Sequence, residues 1–162
     1  MDIEKSLVEK VCEMYHLPLR YLQAASILYT SETGVEGTVV TGIFQIQGTE
    51  YQEPVGHVTE IQMNFCTNQL AYVLFGQLLT DKRWQGMEGI DVQEYLALKA
   101  DNVFIARSIR KYKKQIDPCR PFTSQLILEQ LRREENFYLA KVALSFDTDA
   151  VIGDITFVLK YK

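Results

Sequence analysis

Two side chains that can exchange protons lie three positions apart in the sequence, at His57 and Glu60. An imidazole titrates near neutral pH, so His57 is suited to general acid–base catalysis, and a structural histidine bonded to a loop carbonyl is the alternative interpretation. Glu60 is either a general base or an exposed glutamate in the first turn of a helix. Asn68 adds a side-chain donor if it faces the same space as His57. Cys66 lies in an apolar stretch, which favours a packed, unreactive thiol over a nucleophile.

These residues fall where a predicted loop meets a long predicted helix. The segment from about 61 to 80 contains no proline and carries apolar side chains around most of the helical circumference, which is typical of a helix buried inside a domain. An amphipathic helix is predicted over residues 2–14, and Asp91 is a candidate cap for a third helix. Runs of β-branched and aromatic residues predict strands over 21–29, 37–47, 102–116, 124–131, 137–146 and 152–161.

The composition is that of one globular domain spanning residues 1–162. Of the 162 residues, 47% are hydrophobic and 23% are charged, which is enough to bury a sizeable core. A net charge of −4 argues against nucleic-acid binding, because phosphates require a concentrated basic surface. No apolar run reaches the length of a membrane helix, and the first residues lack the apolar core of a signal peptide. Three scattered cysteines favour a reducing cytoplasm over a disulfide framework, and two histidines do not favour a metal site.

Strands grouped on either side of one long helix predict the α+β class, because a parallel α/β sheet would alternate strands with helices. One antiparallel sheet wrapped around the central helix is the simplest arrangement, and it is the hot-dog fold. By analogy with that fold, we expect a homodimer or a higher homo-oligomer.

One stretch of sequence resembles the FcoT-type family of hot-dog proteins. The pair Gly56-His57 precedes the central helix, and the motif Cys66-Thr67-Asn68-Gln69-Leu70-Ala71-Tyr72 lies within it. The resemblance implies chemistry on fatty acyl thioesters carried by CoA or an acyl carrier protein. Some members of the family are described as long-chain acyl-CoA thioesterases, and others add glycine to the β-carbon of an α,β-unsaturated acyl group. No cofactor is implied beyond the phosphopantetheine or CoA of the substrate.

The same resemblance implies roles for individual residues. It matches His57 to the histidine of the family's Gly-His pair, and Tyr15, Tyr51 and Asn68 to polar residues that line the thioester site. We predict His57, Asn68, Thr59 and Glu60 as the catalytic group. Tyr15, Tyr51 and Gln69 are predicted to bind substrate. The family has asparagine where this chain has Thr59, which keeps a donor and an acceptor but loses the amide.

A dense basic run from Arg107 to Lys114 stands out in this acidic chain. If it forms a strand, Arg107 and Lys111 share one face while Arg110 lies on the other. These three cations are predicted to bind substrate, through the phosphates of CoA or of phosphopantetheine on an acidic carrier protein. The alternative is an edge strand that lysines keep solvated.

Three functions remain open at this point. Addition of glycine to an enoyl thioester is the first hypothesis, because the family resemblance implies it and the sequence has no Ser/His/Asp spacing of a hydrolase. Hydrolysis of the acyl thioester is the second, and a non-catalytic acyl-binding protein is the third. Both reactions build negative charge on the thioester oxygen, so donors aimed at that oxygen are the main requirement.

Overall fold

A computed structural model describes residues 1–32, 34–46, 55–84 and 91–160. Within these ranges, three α-helices accompany six strands and a short 3-10 turn at Leu17–Leu19. The helices are α1 (Lys5–Cys12), α2 (Glu60–Thr80) and α3 (Val92–Asn102). The strands are β1 (Leu22–Leu28), β2 (Val39–Phe44), β3 (Val103–Tyr112), β4 (Phe122–Arg133), β5 (Phe137–Phe146) and β6 (Val151–Lys160).

The six strands form one antiparallel sheet in the order β1-β2-β4-β5-β6-β3. Along β4, buried and exposed side chains alternate, so the two faces of the sheet differ in burial. The buried residues are Phe122, Ser124, Leu126 and Leu128, and the residues between them are exposed. Such alternation places one face of the sheet on the core and leaves the other in contact with water. The predicted α+β class and the predicted antiparallel sheet are confirmed.

Helix α2 runs through the middle of the core. Its N-terminus carries a capping box, in which the Thr59 side chain accepts from the Gln62 backbone and the Gln62 side chain accepts from the Thr59 backbone. Apolar residues on every side of its second half are fully buried, among them Leu70, Leu74 and Phe75. The helix begins one residue before the predicted range and ends at its predicted end.

The first half of α2 keeps one stripe partly open. Ile61, Asn64, Phe65 and Asn68 are spaced as neighbours on a helix surface, and each is exposed or half-buried. Tyr72 continues the stripe but is buried, because its hydroxyl donates to the Val103 carbonyl of β3. The open stripe therefore belongs to the N-terminal half of the helix, where the predicted catalytic residues lie.

The predicted range 2–14 for the first helix is wrong at both ends. Residues before Lys5 are extended: Asp2 forms a bridge with Ser26, and the Ile3 amide donates to the Ala25 carbonyl. The chain therefore begins as a short addition to the edge of β1, which helical periodicity does not reveal. None of the helices in the described part of the chain is long and apolar enough to cross a membrane.

Candidate active site

A cavity of about 670 Å³ opens beside the N-terminal turn of α2. One wall is the loop and first turn that carry His57, Thr59, Glu60 and Met63, and the other is the segment 112–116, which starts at the last residue of β3. The two walls are tied together where the Val58 amide donates to the Ile116 carbonyl, at 2.8 Å. Three of the four predicted catalytic residues thus line one space.

His57 is exposed, and its side chain has no hydrogen-bond partner within the described ranges. The alternative of a structural histidine bonded to a loop carbonyl finds no support among these residues. The imidazole lines the cavity, so it is placed for proton transfer with a group bound there.

Backbone donors are also available at this end of α2. The capping box occupies the amides of Thr59 and Gln62. The amides of Glu60 and Ile61 precede the first intrahelical bond and have no acceptor in the part of the chain that the structure describes. Two adjacent N–H groups at a helix N-terminus are suited to hold developing negative charge.

Glu60 forms an ion pair with Arg110 of β3. The Arg110 side chain is only 3% exposed, and its Nη1 also donates to Asn64 at 2.8 Å while Nη2 donates to Thr67 at 3.3 Å. The Glu60 side chain keeps 52% of its surface exposed, so one side of the carboxylate remains accessible. The structure therefore makes Glu60 an anchored carboxylate rather than a freely moving surface residue.

Gly153 makes room for the inward turn of Arg110. The two residues are paired across β6 and β3, and a Cβ at position 153 would lie 2.2 Å from the Ile109 carbonyl oxygen and 3.2 Å from Arg110 Cγ. The Arg110 Nε atom is buried with no partner among the described residues, so burial of this cation depends on the bonds made by its two terminal nitrogens.

Asn68 and Tyr15 form a second group, which does not line the cavity. The Tyr15 ring meets Phe65 edge-on with centroids 5.8 Å apart. Burial raises the pKa of Tyr15 above its ordinary value, with the neighbouring Tyr72 adding to the shift. Asn68 lies between Phe65 and Tyr72 on the same stripe of α2, so the structure places Tyr15 and Asn68 on one side of the helix.

Gln69, which the sequence predicts as a substrate-binding residue, is occupied by the protein itself. Its Oε1 accepts from the amides of Tyr21 and Leu22 at 3.1 and 2.9 Å, and its Nε2 donates to the Leu19 carbonyl at 2.7 Å. The Cys12 thiol approaches the same oxygen at 3.8 Å. These contacts join α2 to the start of β1, and they give Gln69 a structural role instead.

The remaining predicted residues differ in position. Arg107 and Lys111 lie exposed on β3, which is an edge strand of the described sheet, so both earlier interpretations of the basic run stay compatible with the structure. Tyr51 lies outside the described residues.

Cys66 is fully buried and burial raises the pKa of its thiol, as expected for a packed, unreactive group. Within the described ranges no three His, Cys, Asp or Glu side chains could hold a metal ion.

Two cations of the cavity were not among the predicted site residues. Lys113 and Lys114 follow the end of β3. They line the cavity on the wall opposite the first turn of α2. Their backbone amides both donate to the Ala150 carbonyl, at 2.8 and 3.1 Å, which fixes the path of the segment. The basic run in the sequence is a signal for these two cations. The sequence did not show that β3 ends at Tyr112, which places the two lysines beyond the strand and in the lining of the cavity.

The fold and the cavity define a hot-dog protein with its candidate site at the N-terminus of the central helix. A family model described as the FcoT-like thioesterase domain matches residues 10–156, so the chain belongs to that family.

Similar proteins include an enzyme named (2E)-enoyl-[ACP] glycyltransferase from Mycobacterium marinum, 25% identical over 94% of this chain and 84% of that protein. A protein of the same name from Mycobacterium tuberculosis is 24% identical over 82% of this chain and 70% of its own length. Among solved structures, a thioesterase superfamily protein from Shewanella loihica is 8% identical, with 85% of this chain and 90% of that chain covered and a TM-score of 0.46.

Proposed function

We propose that this protein adds glycine to the β-carbon of an α,β-unsaturated acyl thioester carried by an acyl carrier protein. The observation that carries the proposal is the match over 94% of the chain to a relative named for that reaction. The cavity is compatible with it, because a proton-transfer group and a carboxylate face the same space.

The reaction transfers one proton overall. A proton leaves the glycine ammonium, the freed lone pair forms the C–N bond at the β-carbon, and the double-bond electrons move onto the thioester as an enolate. The α-carbon then gains one proton, and the product keeps a secondary ammonium group. In this proposal His57 carries that proton, and the backbone amides of Glu60 and Ile61 stabilise the enolate oxygen.

The test is an intact-mass measurement of the carrier protein after incubation with an enoyl group and isotope-labelled glycine. We expect the carrier to gain the mass of one glycine, and we expect His57→Ala to abolish the gain while the protein stays folded. Release of free acid without an adduct would refute glycine addition. Unchanged acyl-carrier mass together with bound acyl chain would instead indicate a non-catalytic binding protein.

Thioester hydrolysis is the second candidate, and the description of the matched family favours it. Water would then be positioned by Glu60 or Asn68. The structure separates these two residues, because Glu60 lines the cavity and Asn68 does not. A Glu60→Gln variant that hydrolyses acyl-CoA at the normal rate would remove Glu60 from that role and leave Asn68.

We also propose that the carrier's phosphopantetheine meets the outer face of β3. Arg107 and Lys111 are exposed there and supply positive charge in a chain of net charge −4. Replacing both by alanine is expected to raise the KM for the acyl carrier and to weaken its dependence on salt. A KM that stays unchanged at low salt would contradict this assignment.

A homodimer through the edge of β3 completes the proposal. This edge strand carries the exposed apolar residues Phe104, Ile109 and Tyr112, and exposed apolar edges tend to be covered by another strand. Light scattering is expected to give twice the monomer mass, and Ile109→Asp is expected to shift it to the monomer. A wild-type protein that is monomeric at micromolar concentration would refute the interface.

A further inference from the structure

The charges that line the cavity have both signs. Glu60 supplies a half-exposed carboxylate from the first turn of α2, and Lys113 and Lys114 supply ammonium groups from the segment after β3. Around them the wall is apolar, with Val58, Met63 and Ile116 among its residues. Such a lining suits a small ligand that carries a positive and a negative group at once.

The Glu60 carboxylate is held before any ligand arrives, and the backbone that carries the two lysines is fixed. Arg110 anchors the Glu60 carboxylate and is itself bound by Asn64 and Thr67, while the Thr67 hydroxyl donates to the Met63 carbonyl at 2.7 Å. On the other wall, the backbones of the two lysines are tied to Ala150. Fixed partners reduce the ordering cost of binding, so the arrangement favours recognition of a small polar molecule.

We propose that this cavity is the binding site for the nucleophilic amino acid, with Glu60 receiving its amino group and Lys113 and Lys114 its carboxylate. The assignment rests on the proposed glycine addition and names where the second substrate binds. His57 lines the same cavity, so the proton that must leave the amine has an acceptor there. Arg110 is a positioning residue that orients the carboxylate of Glu60.

The two ends of the amino acid can be tested separately with glycine and glycinamide, which share the amine but differ in the carboxylate. In the intact-mass assay, the wild-type protein is expected to prefer glycine. For Lys113→Ala/Lys114→Ala we expect the KM for glycine to rise about tenfold or more, since a charge-assisted hydrogen bond is lost, and the KM for glycinamide to stay the same. The matched control Lys10→Ala/Lys141→Ala removes equal charge from exposed positions outside the cavity.

Glu60→Gln tests the other end. We expect the KM to rise for glycine and glycinamide alike, because the amine is common to both. Glu129→Gln, at an exposed position on β4, is the control. Circular dichroism and the melting temperature of each variant establish that it is folded before the rates are compared.

Three outcomes overturn the assignment, and a fourth concerns the function itself. Lysine variants that keep the wild-type preference for glycine would show that the carboxylate binds elsewhere. A higher KM for the acyl carrier with an unchanged KM for glycine would make the lysines phosphate-binding groups. An unchanged KM for both amines in Glu60→Gln would remove the carboxylate from amine binding. If the wild-type protein forms no adduct at all, glycine addition fails before the position of the subsite is tested.

Discussion

Replacing Gln69 by methionine is expected to unfold the junction between α2 and β1. The change keeps the length of the side chain but removes its amide, and it leaves three backbone groups without their partner: the amides of Tyr21 and Leu22 and the carbonyl of Leu19. Tyr21 is fully buried and Leu22 nearly so, which excludes water from their amides.

The magnitude follows from the number of groups left unpaired. A buried donor or acceptor without a partner costs about 1–3 kcal/mol, so the two buried amides alone cost roughly 2–6 kcal/mol; the Leu19 carbonyl, which keeps some access to water, adds less. A single domain is typically stable by about 5–15 kcal/mol, so the loss is a large share of the total.

Urea unfolding measures this loss, with the fluorescence of Trp84 as the signal. Trp84 is the single tryptophan of the chain and is buried at 3% exposure, so its emission reports on the core. The control is Gln125→Met, whose exposed amide donates to the half-buried Thr41 hydroxyl at 3.3 Å and whose replacement is expected to change stability by less than about 0.5 kcal/mol. A loss below about 1 kcal/mol in Gln69→Met would refute the structural role. A folded variant with a strongly raised KM for the acyl carrier would restore Gln69 as a substrate-binding residue.

Four further outcomes are expected. Gly153→Ala should destabilise the protein by about 1–3 kcal/mol in urea unfolding, because the added carbon meets the backbone of β3 at 2.2 Å; unchanged stability would mean that the two strands separate at no cost. Thr59→Ala should cost about 1 kcal/mol by loss of the helix cap, and Thr59→Asn should cost little; if this position also selects between water and glycine, Thr59→Asn raises the release of free acid. Iodoacetamide should label the exposed Cys119 in the native protein and leave Cys66 unmodified until urea is added, as peptide mass analysis would show; rapid labelling of Cys66 would contradict its burial. Burial lowers the pKa of Lys99, so its charge destabilises the folded state at neutral pH. This cost disappears as the pH rises through the ordinary lysine pKa of 10.5. The melting temperature of Lys99→Met should therefore exceed that of the wild type at pH 7, by a margin that shrinks toward pH 10.5.

The sequence predicts most of the local structure because that structure depends on neighbouring residues. The apolar circumference from residue 61 onward predicts α2, and the β-branched runs predict strands whose observed limits differ by only a few residues. The extended start of the chain was missed, since its hydrogen bonds go to β1, more than 20 positions away. The hot-dog class follows from element order, but the strand order depends on pairing between distant segments.

In the candidate site, too, the sequence determines one part and the tertiary structure determines the rest. His57, Thr59 and Glu60 are close in sequence and therefore had to lie near the start of α2, whatever the rest of the chain does. Only the tertiary structure decides that Gln69 bonds the backbone of β1 and that Asn68 does not line the cavity.

The basic run from Arg107 to Lys114 shows most clearly the difference between what the local sequence determines and what packing decides. Its composition alone fits either an anion-binding surface or a solvated edge strand, and strand periodicity predicts that Arg110 points away from Arg107 and Lys111. Which of the two faces turns inward is decided by packing: the partner strand offers a glycine opposite Arg110, and α2 offers a carboxylate, an amide and a hydroxyl to bind it. A charge can be buried only where such partners surround it, and those partners come from segments that the local sequence does not contain.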